Sequence, residues 1–340
     1  MITIKEIAKL ADVSPSTVSI VLNNKAKERS ISEATVAKVQ AIAAKNGYRP
    51  NVQAVGLRVN SDDDHFRIIV FWTADYRAQM MLRFIHSLEQ EILVRHYKLE
   101  VLLKPYNSGH LQEALTDELV RSCHGMIICN SSESDMEYLE NNQFSRPIVI
   151  YNRYSYYYTT VTLDDKEIGT IPAEVFASHQ RKHPALITYP VTFNGMNIRT
   201  NCFSARCQEA GMAAPYIYTT PATLDGGYEA TLKAFSEHPE IDCIFYASDI
   251  LAVGSLKYFN QNRIRVPQDI EFIAAGNYED SWSSGVYPSI SVVRLPIEEM
   301  AAQCLGALHS LMTYHELKSD SIECKVQYIS RESAPEKRAD

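Results

Sequence analysis

The sequence predicts an α/β protein that carries a small all-helical head at its N-terminus. Residues 1–47 contain three short helical patterns, and a tight turn joins the first two. From residue 66 onward, short aliphatic or β-branched runs alternate with helical patterns. Such alternation is typical of parallel sheets with helices on both faces. A length of 340 residues is enough for a small head plus one large or two medium domains.

The head pattern predicts a helix-turn-helix, a DNA-binding motif whose second helix lies in the major groove. Apolar residues recur at helical spacing over 4–11, and a three-residue turn follows. Ser14 then suits the N-cap of a second helix, and Pro15 suits its first helical position. Ser32 can cap a third helix that runs to about Asn46.

The body pattern predicts at least eight strands and six helices. The strand-like runs lie at 68–72, 100–103, 125–129, 147–151, 185–189, 242–247, 271–275 and 290–293. The helix-like stretches lie at about 78–96, 110–121, 165–179, 198–210, 227–238 and 249–261.

Ordered motifs in both parts of the chain resemble the LacI/GalR family of repressors. The head carries Ile-x-x-Ile-Ala at 4–8, Val-Ser-x-Ser-Thr-Val-Ser at 13–19 and Gly-Tyr-x-Pro-Asn-x-x-Ala-x-x-Leu at 47–57. In the body, Ser-Asp-Ile-Leu-Ala-Val-Gly at 248–254 and Val-Pro-Gln-Asp-Ile at 266–270 resemble further family motifs. The resemblance implies a body similar to periplasmic sugar-binding proteins. Such a body has two lobes, each with a parallel sheet, and a ligand cleft at the carboxyl ends of the strands.

The resemblance also sets the expected domain boundaries. These are a helix-turn-helix head at 1–47, a hinge helix and linker at 48–65, an effector-binding and dimerisation domain at 66–331, and a charged tail at 332–340. The N-terminal lobe is expected at about 66–162 and 293–323, and the C-terminal lobe at about 163–292 and 324–331. Crossings between the lobes are expected near 162–164, 291–293 and 322–325.

Charge is distributed unevenly along the chain. The net charge is −8, yet residues 1–60 hold nine Lys or Arg residues against four Asp or Glu residues. A basic head on an acidic body would confine polyanion binding to the head. The alternative is that this uneven distribution is ordinary scatter of surface charge without a function.

Other composition features exclude several classes of protein. The seven cysteines form no Cys-x-x-Cys pair and are expected to be small buried residues, with neither a zinc site nor a disulfide framework. No secretory signal or membrane-length apolar stretch is seen, so a cytoplasmic protein without a membrane partner is expected. No phosphate-binding glycine loop, nucleophile elbow or metal spacing is present, and acidic pairs such as Asp164-Asp165 are ordinary. We therefore expect neither a cofactor nor an enzyme.

The resemblance implies which residues contact an operator. They are Thr3, Ser14, Pro15, Ser16, Thr17, Ser19, Ile20, Asn23, Lys25, Lys27, Arg29, Tyr48, Asn51, Ala54 and Leu57. Pro15 and Ile20 occupy reading positions but can offer no side-chain hydrogen bond, so Ser16 is expected to make the one direct polar contact there. Leu57 matches the hinge-helix wedge that opens a minor-groove step. Two half-sites imply a pseudo-palindromic operator and a homodimer.

The expected effector residues come from strand ends and from the family motifs. They are Trp72, Tyr76, Asn130, Asn152, Arg153, Arg199, Asp249, Asn277, Tyr278 and Glu279. Alternatives stay open, because Arg199 could pair with an acid, Asp249 could cap a helix, and Trp72 and Tyr76 could belong to the core. The five tyrosines between 151 and 158 could form a sugar-stacking lip or a surface belt.

One departure from the family leaves the effector open. The family places Asp after Gly-Tyr/Phe, whereas this chain has Asn277, Tyr278, Glu279 and Asp280 after Gly276. We expect a repressor of carbohydrate-use genes controlled by a sugar or sugar derivative. The alternatives are a regulator that responds to a nucleoside, purine or other metabolite, a solute receptor without a DNA role, and an enzyme.

Overall fold

A computed structural model describes residues 4–22, 31–45, 66–73, 78–191, 193–276, 280–314 and 320–336. The chain divides into two compact units, Met1–Val59 and Asn60–Asp340. They are called the head and the body below.

The head forms the three helices that its pattern predicts. These are α1 (Ile4–Ala11), α2 (Pro15–Leu22) and α3 (Glu33–Lys45). Their contact is apolar, with a buried core of Ile7, Ala8, Ala11, Val18, Val21, Val39 and Ala43. Ser14 Oγ accepts the Thr17 N–H at 3.0 Å, and Ser32 Oγ accepts the Thr35 N–H at 3.3 Å. Both predicted N-caps are confirmed.

We expect Ser14→Ala to loosen α2, because one orphan N–H of its first turn loses its acceptor. The cost should be about 1 kcal/mol, which corresponds to roughly fivefold faster amide hydrogen exchange over α2. Ser14→Asp keeps an acceptor and is the matched control. Equal exchange in the alanine variant and the wild type would show that the cap contributes nothing.

Twelve strands are seen in the described part of the body. They are β1 (Phe66–Thr73), β2 (Leu99–Tyr106), β3 (Gly125–Cys129), β4 (Ile148–Tyr151), β5 (Thr159–Leu163), β6 (Pro184–Thr188), β7 (Tyr216–Thr219), β8 (Cys243–Tyr246), β9 (Glu271–Gly276), β10 (Ser291–Arg294), β11 (Ser321–Cys324) and β12 (Gln327–Ile329). They form two six-stranded sheets with the orders β11-β5-β4-β3-β1-β2 and β12-β10-β9-β8-β6-β7. Every pair is parallel except β10–β12, which is antiparallel.

The helices of the described body lie between these strands in the chain. They are α4 (Ala78–Val94), α5 (Leu111–Ala114), α6 (Asp117–Ser122), α7 (Glu133–Asn141), α8 (Asp165–Ser178), α9 (Asn194–Glu209), α10 (Leu224–Glu237), α11 (Asp249–Gln261), α12 (Asp280–Ser284) and α13 (Ile297–Tyr314). Every residue of β3, β4, β8 and β9 is buried. Continuous burial is typical of parallel strands covered on both faces, and it explains why these strands are unbroken apolar runs.

The chain passes between the two sheets three times. It does so after β5, between β10 and α13, and between β11 and β12. Val293 and Arg294 pair with Tyr328 and Gln327 in the second sheet. The expected second crossing at 291–293 is therefore displaced to 295–296, because β10 extends far enough to pair with β12.

Several elements are absent from the sequence-based expectations. Strands β5, β7, β11 and β12 and helices α7, α12 and α13 are not in the predicted sets. Helix α7 is mostly polar and offers little periodicity, but Ser132 and Asp135 form a capping box at its start. That Ser-x-x-Asp spacing is the sequence signal that could have found it.

All seven cysteines are free, six are buried and Cys202 is half-buried, as their apolar surroundings predict. Among the described helices, none has both the length and the apolar character that crossing a bilayer requires.

Candidate functional site

Polar residues follow the strands at the carboxyl edge of both sheets. Asn130 follows β3, Asn152 and Arg153 follow β4, Asp165 follows β5, and Asp249 follows β8 in the second sheet. The carboxyl edge of a parallel sheet is where open α/β folds bind ligands. Asn130 and Asn152 have φ of 56° and 55°, a left-handed conformation that asparagine tolerates well.

Arg153 connects the two sheets' loops at this edge. Its Nε donates to the carbonyl of Ser131 at 2.5 Å, and its Nη1 donates to the carbonyl of Asn152 at 2.6 Å. Its guanidinium carbon lies 4.1 Å from the centroid of the Phe193 ring, which precedes α9. The first lobe therefore holds this cation by hydrogen bonds, and the second lobe contacts it through an aromatic face.

Arg199 lies inside α9 and is buried. Its Nε donates to Oδ1 of Asp165 at 2.7 Å, and both side chains are less than a tenth exposed. Pairing with an acid was the alternative to effector binding, and that pair is present. Removal from water is costly for both charges, and their mutual attraction offsets part of that cost.

The start of α9 lies directly against Asp165. A Cβ on Gly195 would be 2.2 Å from Asp165 Oδ2 and 2.4 Å from the Phe193 ring. A side chain in this position would displace the Asp165 carboxylate or the Phe193 ring. Sequence reasoning missed Asp165, Phe193 and Gly195. The Asp164-Asp165 pair was visible but unremarkable, and nothing in the sequence marks the other two residues.

A cavity of about 530 Å³ opens beside these groups, in the size range of small-molecule sites. Both lobes line it, through Ser132, Glu133, Met136, Glu137, Glu140, Asn141, Asn152, Arg153, Tyr154, Asp165, Phe193, Asn194 and Gly195. Asn152 and Arg153 are the expected effector residues in this lining. Trp72, Asn130, Arg199 and Asp249 do not line it.

Trp72 and Asp249 have local roles that match their alternatives. The Trp72 indole is 1% exposed and packs against the rings of Phe84 and Tyr151, at centroid distances of 5.4 and 5.8 Å. Asp249 is the first residue of α11, and its Oδ1 accepts the Ile250 N–H at 3.1 Å. A carboxylate there is favoured by the helix dipole.

The tyrosines between 151 and 158 do not form a single surface. Tyr151 belongs to the core, and Tyr158 donates its hydroxyl to the carbonyl of Leu139 at 2.8 Å. Tyr154 is exposed and lines the cavity. Partial burial raises the pKa of Tyr154, and the nearby Asp165 carboxylate raises it further, so this phenol stays protonated and can donate.

The second head helix presents part of the expected DNA surface. Ser14 and Pro15 are exposed at its start, and Thr17 and Ile20 are half-buried. Ser16 and Ser19 lie on the same helix. The remaining expected residues lie outside the described part of the chain. They are Thr3, Asn23, Lys25, Lys27, Arg29, Tyr48, Asn51, Ala54 and Leu57 for DNA, and Tyr76, Asn277, Tyr278 and Glu279 for the effector.

Comparison with known proteins agrees with this two-part organisation. Residues 3–51 match the family model of bacterial regulatory proteins of the lacI family, and residues 173–334 match the model of a periplasmic binding protein-like domain. The chain belongs to the LacI family. As a member, it is a DNA-binding transcriptional regulator.

Relatives in this family match nearly the whole chain. The ribose operon repressor of Escherichia coli (strain K12) is 23% identical over 339 residues, which cover 98% of this chain and 100% of the relative. The sucrose operon repressor of Streptococcus mutans is 25% identical over 318 residues, which cover 93% of this chain and 95% of that repressor. The structure of a LacI family transcription regulator from Clostridium acetobutylicum has a TM-score of 0.74 and 27% identity, over 78% of this chain and 99% of that one.

Proposed function

We propose that this LacI-family regulator represses genes of carbohydrate use and that a sugar or sugar derivative bound between its lobes controls operator binding. The observation that carries the proposal is the polar cavity lined by both lobes, in a chain whose head is a helix-turn-helix. Relatives named as repressors of the ribose and sucrose operons support the carbohydrate class.

Residues of both lobes supply the chemistry that sugar hydroxyls need. Carboxylates and amide oxygens accept hydrogen bonds, while amide, guanidinium and phenol groups donate them. Asp165 lines the cavity, and its ion pair with Arg199 would hold the carboxylate in place for such a ligand. We infer a binding protein and not an enzyme. Catalytic turnover of a bound sugar would contradict this.

Control would follow from the contact between the lobes. A ligand that binds one relative arrangement of the lobes better than another shifts the population of that arrangement. In a homodimer, that shift changes how well two heads meet the half-sites of a pseudo-palindromic operator. Operator affinity measured with and without the ligand gives the sign of the control.

Operator selection tests the DNA-reading assignment. We expect the purified chain to select a two-fold symmetric duplex from a random library. Ile20→Arg should change the selected base at one position in each half-site towards guanine, because arginine pairs with guanine O6 and N7 and discriminates by about 1–3 kcal/mol.

Ala37→Arg is the matched control for this change, because Ala37 is exposed on α3 and the variant adds the same charge away from α2. It should raise affinity for any duplex and leave the selected sequence unchanged. An unaltered sequence in Ile20→Arg would show that Ile20 does not face the bases.

A thermal-shift panel tests the ligand class. It should contain mono- and oligosaccharides, sugar phosphates, nucleosides and purines. A ligand at 100 times its Kd stabilises the native state by about 2.7 kcal/mol, which is readily detected. Hits confined to nucleosides or purines would replace the carbohydrate proposal.

A further inference from the structure

The cavity extends towards α7, and residues of that helix line it. Glu133, Met136 and Glu137 lie on one side of this helix and line the cavity. None of these three is among the expected effector residues. The cavity is lined by residues that follow β4 and β5, whereas Trp72 lies in β1 and Asp249 follows β8.

Asn152 is the feature that points to a ligand. It is 8% exposed and lines the cavity. Its backbone is fully engaged, because its N–H donates to the carbonyl of Val161 at 2.7 Å and its carbonyl accepts from Arg153 at 2.6 Å. Its side-chain amide makes no hydrogen bond to any described residue. The amide has accessible surface in the cavity, so it can both donate a hydrogen bond to a ligand and accept one from it.

The charges of the lining select against anions. Four carboxylates face the cavity among its described lining residues, against the single guanidinium of Arg153. That guanidinium is already bonded to two backbone carbonyls. An anionic ligand would be repelled by the carboxylates and would meet no available cation.

The same carboxylates suit neutral hydroxyls. Asp165 is paired with Arg199, and Glu140 accepts the Ser155 hydroxyl at 2.8 Å, so both are fixed in place. Glu133 and Glu137 remain available to accept from a ligand. Tyr154 adds an exposed aromatic ring, and a sugar ring can pack its apolar face on such a surface.

We propose that this part of the cleft is a second subsite that binds a neutral glycosyl unit, so that the effector is an oligosaccharide or glycoside and not a free monosaccharide, uronate or sugar phosphate. The inference rests on the proposed function, because a second subsite is useful only when a first sugar unit binds in the same cleft. The residues that carry it are Asn152, Glu133, Glu137 and Tyr154.

Calorimetry on the full-length chain tests the subsite. The probes are glucose, fructose and ribose, the disaccharides sucrose, maltose and cellobiose, and glucuronic acid and glucose 6-phosphate as anionic counterparts. We expect a disaccharide to bind at least about tenfold more tightly than its own monosaccharides. Asn152→Gly, which tolerates the left-handed backbone, and Glu137→Gln should each reduce that ratio severalfold.

Glu118→Gln is the matched control, because it removes the same charge from α6, outside the cavity lining. It should leave the ratio unchanged. Equal affinity for monosaccharide and disaccharide, a ratio that both cavity variants leave intact, or tighter binding of an anionic probe would overturn the subsite while the carbohydrate function stands. Binding of no carbohydrate in the panel would count against the proposed function itself, and the subsite would fall with it.

Discussion

Gly254→Ala is expected to destabilise the body by about 3 kcal/mol or more, because overpacking at a rigid contact cannot relax. A Cβ at Gly254 of α11 would lie 2.0 Å from the backbone carbonyl oxygen of Leu224 in α10. The contact is reciprocal, since a Cβ at Gly227 would lie 2.1 Å from the carbonyl oxygen of Leu251. Both obstacles are backbone atoms, so accommodation requires the two helices to separate.

Gly306→Ala provides the matched control. Gly306 also lies inside a long helix, α13, but a Cβ there would meet nothing within 4 Å. This variant should be more stable than the wild type by about 0.5–1 kcal/mol, because alanine loses less entropy in a helix. Urea unfolding of the full-length variants measures both changes. The close helix contact would be refuted if Gly254→Ala were as stable as Gly306→Ala.

Arg199→Ala should have the second large effect. It leaves the Asp165 carboxylate buried without its partner, and breaking such a pair costs about 3–5 kcal/mol. Arg206→Ala is an internal control, because Arg206 also reaches from α9 to α8, where its Nε lies 3.0 Å from Glu174 Oε1. That second pair is exposed, so its loss should cost less than about 1 kcal/mol.

A double variant separates the structural role of Arg199 from its proposed role in binding. In Arg199→Ala/Asp165→Ala no charge is left buried, so much of the lost stability should return. Sugar affinity should not return, because the Asp165 carboxylate that lines the cavity is now missing. Recovery of both quantities would show that the Arg199–Asp165 pair contributes nothing to sugar binding.

Local chemistry explains most of what could be predicted from the sequence. Ser14 and Ser32 cap helices through residues three positions away, and such short-range signals are visible in the chain itself. The buried parallel strands are visible as apolar runs. Strand β12 has only three residues, and it is defined by its antiparallel pairing with β10. A strand of that length has no periodicity to recognise.

The candidate site was predictable only in part, since its geometry depends on contacts between distant residues. Asn152 and Arg153 were found because they follow a clear strand. The partner of Arg199 is 34 positions away, and Phe193 reaches Arg153 only when the two lobes are folded. Trp72 illustrates the ambiguity of an aromatic residue near a strand end, which can face a ligand or belong to the core, and here its indole is buried.

The contact between Arg153 and Phe193 has a consequence for how the lobes can move. Arg153 donates hydrogen bonds to two carbonyls of its own lobe, and the Phe193 ring lies against it across the cleft. A cation over a ring tolerates rotation and sliding far better than a hydrogen bond does. Sliding at the Arg153–Phe193 contact therefore costs less than sliding at a hydrogen bond would. A ligand that bonds to both lobes would add an angular restraint, and a few kcal/mol of differential affinity would then be enough to select one orientation.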